Sequence, residues 1–202
     1  EFMITANSGE DLILISSDGT YAANEEKAIS KASEASILEP GDPKLIDTPS
    51  QSTIEDICIN QNLEPSQIVK VIIMLALIED DQEQPLLISI RGDQELNEVK
   101  LMNVVTKQTG KLIVGITTIT PEQLTSQGLK QLPFGSIGPD LEDSVLKNAQ
   151  SWNTKFLRLV DCTAAELKYF ACGSNKKDKH RIFMTWKIIG KMQAEVDIRK
   201  AK

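Results

Sequence analysis

Three places in the sequence carry residue types that can do chemistry. The first is Lys70, the single polar residue in the run from Ile68 to Ile78. An ammonium in such a run is costly to bury. It either reaches water along its own methylene stem or faces an anionic ligand. The second is His180, the sole histidine, set in the basic stretch SNKKDKHR (174–181). The third is the Gly/Pro loop LPFGSIGPD (132–140). It is too short for the phosphate-binding glycine fingerprints. It reads either as an ordinary turn or as a backbone loop that approaches a ligand closely, which glycine permits.

Conventional nucleophilic catalysis has little support. A serine or cysteine nucleophile needs a neighbouring base, usually histidine, and nothing marks a partner for His180. Cys58 falls on the apolar face of its segment and reads as a core thiol. Spacing singles out no carboxylate pair. The Arg-Gly-Asp triplet at 91–93 carries no adhesive meaning in a chain of this type.

Composition narrows the setting. The length of 202 residues suits one compact domain with flanking pieces. Aromatic content is only 4%, so the core must be built mainly of Ile, Leu and Val. No apolar run approaches a membrane span, and the N-terminus lacks a basic start followed by an apolar stretch. The opening Glu1, Phe2 and Met3 look like a cloning scar. Three widely spaced cysteines argue against a disulfide framework or a zinc cluster and fit a reducing cytoplasm. The net charge of −7 is unevenly spread. Residues 147–202 hold 13 Lys or Arg against 5 Asp or Glu, a balance of +8, while residues 1–146 carry −15. The basic part is either a solvated surface or a face for an anionic ligand on an acidic body.

The elements that must position these residues follow from pattern. Residues 11–16 predict a strand, and the alanine-rich 21–36 a helix. Residues 37–52, with three prolines and a glycine, read as a linker or boundary. Residues 52–62 predict a helix with Ser52 and Glu55 as a capping box, and with Ile54, Ile57 and Cys58 facing inward. After a short turn at 64–67, the run 68–78 and its partner 85–90 form a long hairpin. Strand alternation puts Lys70 on one face with Ile68, Ile72 and Met74. A helix at 93–105, packing through Leu96, Val99 and Leu101, precedes a strand at 111–119. A helix at 120–129 is capped by Thr120 with Pro121 at its first position and Gln123 completing the box. A strand at 155–161, a helix at 163–170 and a strand at 180–186 close the series. Without regular βαβ alternation, the order predicts an α+β fold.

The stretches DTPSQSTIEDI, IVKVIIMLALI, LLISIRGDQELNEVKL, FGSIGP and GSNKKDKH, in this order and spacing, resemble the editing insertion domain of bacterial-type prolyl-tRNA synthetases. That domain belongs to the YbaK-like aminoacyl-tRNA deacylase superfamily. RGDQELNEVK is the most specific piece. GTYAANEEKA and AEVDIRKAK resemble the synthetase segments before and after the insertion, so the likeness covers residues 19–202. It implies catalytic-domain flanks at 1–36 and 193–202 around an editing domain at 37–192. It also implies a mixed, partly barrel-like β-sheet flanked by helices. The implied function is post-transfer editing: hydrolysis of mischarged Ala-tRNA(Pro), sparing Pro-tRNA(Pro). A pocket selecting by apolar contact alone cannot fully reject a smaller analogue, and a second, smaller pocket removes the error.

Carried over by the resemblance, Lys70 holds the 3′-terminal adenosine or its phosphate near the ester. Thr48 belongs to the same site, and Ile54 and Ile57 set the pocket size. His180 bounds the aminoacyl pocket. Gly135, Ser136, Gly138 and Pro139 belong to a loop whose backbone N–H groups hold the ester carbonyl, stabilising the developing oxyanion. The attacking water is helped by the substrate's ribose hydroxyl. No metal or cofactor is expected for editing; ATP and Mg belong to the parent synthetase's aminoacylation site. Expected partners are the tRNA(Pro) 3′ end carrying alanine and the parent's catalytic domain. The parent is expected to be a cytoplasmic homodimer with no membrane contact. The sequence departs from relatives in GPDLEDS after the loop, where Asp140, Glu142 and Asp143 bear on RNA approach, and in GSNKKDKH, with its serine and extra lysines. The alternative is a non-catalytic module that binds the tRNA acceptor end or supports the synthetase. A free-standing editing enzyme is disfavoured by the flanks.

Overall fold

A computed structural model describes residues 12–79, 82–191 and 193–201. Glu1 to Met3 and the tip of the acidic turn at 80–81 lie outside them. The described residues form an α+β fold around one large mixed sheet, with a separate hairpin of β1 (Ile13–Ile15) and β2 (Ala22–Asn24). No described helix is long and apolar enough to cross a membrane.

The hairpin of β4 (Ile68–Ile78) and β5 (Gln82–Arg91) is the spine of the sheet. Its ten registered pairs run from Val69 opposite Arg91 to Ile78 opposite Gln82. Both faces are covered, which is why these strands read as continuous apolar runs and not as alternating ones. Ile73, Leu75 and Leu87 pack on one side with Ile119, Leu124, Trp152 and Phe156. Met74, Ala76, Leu86 and Ile88 pack on the other with Leu101 and Val105. Full burial of each such side chain stabilises by about 1.5–3 kcal/mol.

From β5 the sheet continues through β7 (Leu157–Asp161) to β10 (Ala194–Val196), both added in parallel. On the other side lie β8 (Phe170–Gly173), β9 (Lys179–Met184) and β3 (Lys44–Asp47). The sheet ends on β10 and β3 and does not close into a barrel. β6 (Ile113–Thr118) shares an edge of β4 with β8. On that edge β8 takes Ile68 and Val69, and β6 takes Met74 to Ile78. Among the described residues no strand pairs with 70–73 there. This fork in the sheet is where the site forms.

Several expectations change. Residues 21–36 are not a helix: only β2 is regular. Their backbone is claimed by tertiary partners, with Arg199 on the Ser30 carbonyl, Arg91 on the Ser33 carbonyl and Ser66 Oγ on the Ser36 N–H. These outweigh alanine's modest helix preference. Residues 37–52 are not only a linker, because β3 forms an edge strand there. The helix expected at 52–62 is α1 (Ile54–Gln61), and its cap is Thr53 with Asp56, one residue later than Ser52 with Glu55. The helix expected at 93–105 is α2 (Glu98–Thr109), capped by Asn97. That phase buries Lys100, Leu101 and Val105 and leaves Val99 exposed. The helix at 120–129 is α3 (Pro121–Ser126), with the Thr120 and Gln123 box in place. The helix at 163–170 shrinks to α4 (Cys162–Ala165), since Phe170 is needed in β8. A short α5 (Trp186–Ile189) follows β9.

Candidate active site

A cavity of about 260 Å³ opens at the fork. β4 contributes five consecutive residues, Ile68 to Ile72, to its wall. Side chains of a strand alternate between faces, so consecutive lining means that the cavity also meets the strand's edge. On the β5 side, the Ile68 carbonyl accepts from the Gly92 N–H at 2.8 Å, while the Ile68 N–H goes to the Pro65 carbonyl. By alternation, Val71 turns its N–H and C=O toward the fork.

The opposite wall is α1. Its capping box, with Thr53 Oγ1 accepting from the Asp56 N–H at 3.1 Å, fixes where the helix begins. Such a cap contributes about 1 kcal/mol. One turn apart, Ile54 and Ile57 present an apolar surface to the cavity. Ile57 is buried against Leu63, Ile68 and Ala171.

Lys70 is half-buried and lines the cavity. Its Nζ donates to the carbonyls of Gly92 at 3.2 Å and Gln94 at 2.6 Å. Snorkelling to water is therefore not its resting state. The ammonium is held at the cavity by the turn that follows β5.

His180 lies on β9, between β8 and β3, opposite Gly173 and Ile46. Its Nε2 lies 3.0 Å from the Gly135 carbonyl, which can only accept, so Nε2 carries the proton. Nδ1 then accepts from the Thr48 hydroxyl at 2.7 Å. Burial pushes the imidazole pKa below its ordinary value, and the Gly135 bond offsets this only in part. The ring is neutral near pH 7, with both nitrogens engaged. It joins the glycine loop to β3 and has no free lone pair to accept a proton from water.

The loop at 135–139 is built against β8. Gly135 has φ +82°, which glycine alone adopts without strain. A Cβ on Gly138 would stand 2.4 Å from the Gly173 carbonyl, and one on Gly173 2.2 Å from the Ile137 carbonyl. This contact is possible only because both residues are glycine. Asn175 fastens it: its N–H donates to the Ser136 carbonyl at 2.9 Å, and its Oδ1 accepts from the Gly138 N–H at 2.7 Å. Arg181 grips Asp140 through two bonds of 2.6 and 2.7 Å and also donates to the Gly173 carbonyl. Burial, the largest single influence, would raise the Asp140 pKa, but the bonds and charge of Arg181, with a backbone N–H and Asn175, together outweigh it and hold the carboxyl below its ordinary value. The Ser136 N–H is used by Pro133. Among the described residues, the Gly135 and Ile137 N–H groups of the loop have no partner, and both residues line the cavity.

Of the residues singled out from sequence, Lys70, Ile54, Ile57, Gly135 and His180 surround one cavity. Thr48 stands behind His180, fully buried. Ser136, Gly138 and Pro139 are buried in the loop outside the lining. Asn175 and Arg181, which shape the loop, were not anticipated; the Gly-Ser-Asn sequence ahead of the lysines was the available signal. The three acids after the loop are each matched by a base: Asp140 by Arg181, Glu142 by Lys191, and Asp143 by Arg158. Asp161, Cys162 and Asp197 also converge elsewhere, within 4.8 Å of one another. The guanidinium of Arg199 already occupies that cluster, 3.1 Å from Cys162 Sγ and 3.0 Å from Asp197.

Residues 48–189 match the family model of the aminoacyl-tRNA editing domain. Over all 202 residues the chain is 57% identical to a proline–tRNA ligase of Prochlorococcus marinus strain MIT 9211, covering 34% of that protein. It is 54% identical over 201 residues to the proline–tRNA ligase of P. marinus strain SARG, covering 33%. The chain thus spans about a third of the length of the curated relatives it matches. A solved structure described as a candidate trans-editing enzyme for prolyl tRNA synthetase shares the fold, with TM-score 0.52 and 18% identity, over 79% of this chain and 87% of that one. With the family model matching most of its length, and its motifs gathered around one cavity, the chain belongs to the aminoacyl-tRNA editing domain family.

Proposed function

We propose that the chain is the editing domain of a prolyl-tRNA synthetase and hydrolyses Ala-tRNA(Pro) to alanine and tRNA(Pro), sparing Pro-tRNA(Pro). The observation that carries this reading is one small cavity with an isoleucine wall, a fixed lysine and a glycine loop whose Gly135 and Ile137 N–H groups have no partner among the described residues. Its volume of about 260 Å³ is below the roughly 300–1,000 Å³ of sites for drug-sized ligands. Such a cavity suits the aminoacyl end of a tRNA, with the terminal adenosine lying across its mouth.

In this reading the alanine methyl packs on Ile54 and Ile57, whose closeness rejects the larger proline ring. Lys70 offers its charge to the oxygens of the terminal nucleotide. Water attacks the ester carbonyl, and its oxygen bonds to the carbonyl carbon. The N–H groups of Gly135 and Ile137 stabilise the oxyanion. The ester bond to the ribose then breaks, and the ribose oxygen takes a proton. The neighbouring ribose hydroxyl assists the water, so the protein supplies position and charge, not a nucleophile. Thr48 and His180 act by holding the loop. Water is the only co-reactant the step uses; ATP and Mg serve the aminoacylation site of the parent synthetase. The exposed Lys176 and Lys177, next to His180 in the chain, suit the RNA backbone. The domain limits at 37–192 and a cytoplasmic, homodimeric parent complete the proposal.

The test is deacylation of alanyl-, prolyl- and cysteinyl-tRNA(Pro) side by side by the 202-residue chain. Fast loss of alanine with stable prolyl ester is expected. Salt-sensitive tRNA binding without hydrolysis would favour a non-catalytic acceptor-binding module.

A further inference from the structure

The carbonyls that hold Lys70 belong to a turn that is locked by an ion pair. Arg91 donates through Nε to Asp93 Oδ1 at 2.6 Å and through Nη2 to Oδ2 at 2.8 Å. Gln94 Nε2 donates to the same Oδ2 at 2.8 Å, and its N–H closes the turn on the Arg91 carbonyl at 3.0 Å. The Gly92 N–H binds the Ile68 carbonyl at 2.8 Å. A Cβ on Gly92 would lie 2.4 Å from the Pro65 carbonyl, so the turn is pressed onto the start of β4. Arg91 is only 3% exposed, and its Nη2 also reaches the Ser33 carbonyl at 2.9 Å. The Gly92 and Gln94 carbonyls of this turn converge on one point, the Lys70 ammonium.

A buried ion pair adds little to stability over an apolar substitute, because desolvation offsets the attraction. What it adds is geometry: a bidentate guanidinium–carboxylate pair fixes direction as well as distance. We propose that the Arg91–Asp93 pair is the positioning element for Lys70, holding the two carbonyls that aim its ammonium into the cavity. Neither residue touches substrate; both act through Lys70. The inference rests on the deacylase reading above. Lysine has a flexible four-carbon stem and a compact charge, so without this cradle the ammonium spreads over several rotamers. A misplacement of about 1 Å at a reacting centre can lower a rate about a hundredfold.

The test is Asp93→Asn in the 202-residue chain, read by steady-state deacylation and by ¹⁵N NMR of the lysine ammonium groups. The Lys70 signal is assigned by its loss in Lys70→Arg. In a folded Asp93→Asn chain, kcat should fall ten- to a hundredfold with KM within about twofold, because other RNA contacts set binding. The Lys70 ammonium signal should exchange faster with water. A folded variant with wild-type kcat, or with an unchanged Lys70 signal, overturns the proposal. If Asp93→Asn does not fold, Gln94→Ala, which keeps the carbonyl and loses one bond to Asp93, is judged by the same two readouts. If the wild-type chain hydrolyses no aminoacyl-tRNA, the deacylase reading fails, while the NMR comparison still decides the positioning claim.

Discussion

Gly135→Ala separates backbone strain from damage to the site. At φ +82° an alanine is strained by about 1–2 kcal/mol. Its Cβ would also lie 3.0 Å from Ser52 Cβ and 3.3 Å from Ser52 Cα. Ser52 directly precedes the cap of α1, so its backbone cannot yield without moving that helix. The loop must give way instead. The Gly135 carbonyl, 3.0 Å from His180 Nε2, then leaves its donor, and the loop N–H groups turn with it. Gly110→Ala is the matched control, with φ +67° at the end of α2 and nothing within 4 Å of a new Cβ. Both variants should lose about 1–2 kcal/mol through strain, a drop of about 2–8 °C in melting midpoint for a chain of this size. Only Gly135→Ala should also lose at least about a hundredfold in kcat/KM on Ala-tRNA(Pro), the scale of one lost oxyanion donor. Thermal melting and single-turnover deacylation measure the two effects separately. If Gly135→Ala melts like the control and keeps wild-type kcat/KM, the loop does not set the chemistry.

Two further outcomes follow from the site. Ile57→Ala opens the isoleucine wall: it should lower stability by about 2–5 kcal/mol in urea unfolding and raise hydrolysis of Pro-tRNA(Pro) relative to Ala-tRNA(Pro) at least about tenfold. Burial depresses the His180 pKa below its ordinary 6.5, with the Gly135 bond opposing in part, so below pH 6.5 the unfolded chain takes up the proton first. The stability tied to neutral His180 is full above pH 6.5 and is lost as pH falls through the lower folded value; comparing urea midpoints at pH 7.5 and 5 in wild type and His180→Gln should show a smaller pH effect in the variant.

The parts of the fold that were legible in the sequence are those whose local pattern and tertiary setting agree. The β4–β5 hairpin announced itself because burial on both faces demands unbroken apolar runs. α3 was readable down to its cap because Thr120, Pro121 and Gln123 act within one turn. The segment 21–36 was not, because its backbone is claimed by Arg91 and Arg199, residues distant in sequence. β3 was hidden by the prolines before it, and β8 is four residues of a strand whose partners lie in β4 and β9. The site divides the same way. Lys70 and the glycine loop were conspicuous as residue types. What surrounds them was not: the carbonyls on Lys70 come from 22 and 24 residues away, and the Thr48–His180 bond spans 132. Periodicity carries no record of such pairings, and the family resemblance supplied the grouping that spacing could not.

The central claim is that Lys70, fixed at the fork of the sheet, drives hydrolysis of a small aminoacyl ester. Its most direct test is the single-turnover rate of Ala-tRNA(Pro) deacylation by the wild-type chain and by Lys70→Ala, with folding of both verified by melting. Loss of the ammonium should slow hydrolysis by on the order of a hundredfold while the variant remains folded. A folded Lys70→Ala chain that clears alanine at the wild-type rate would contradict the claim.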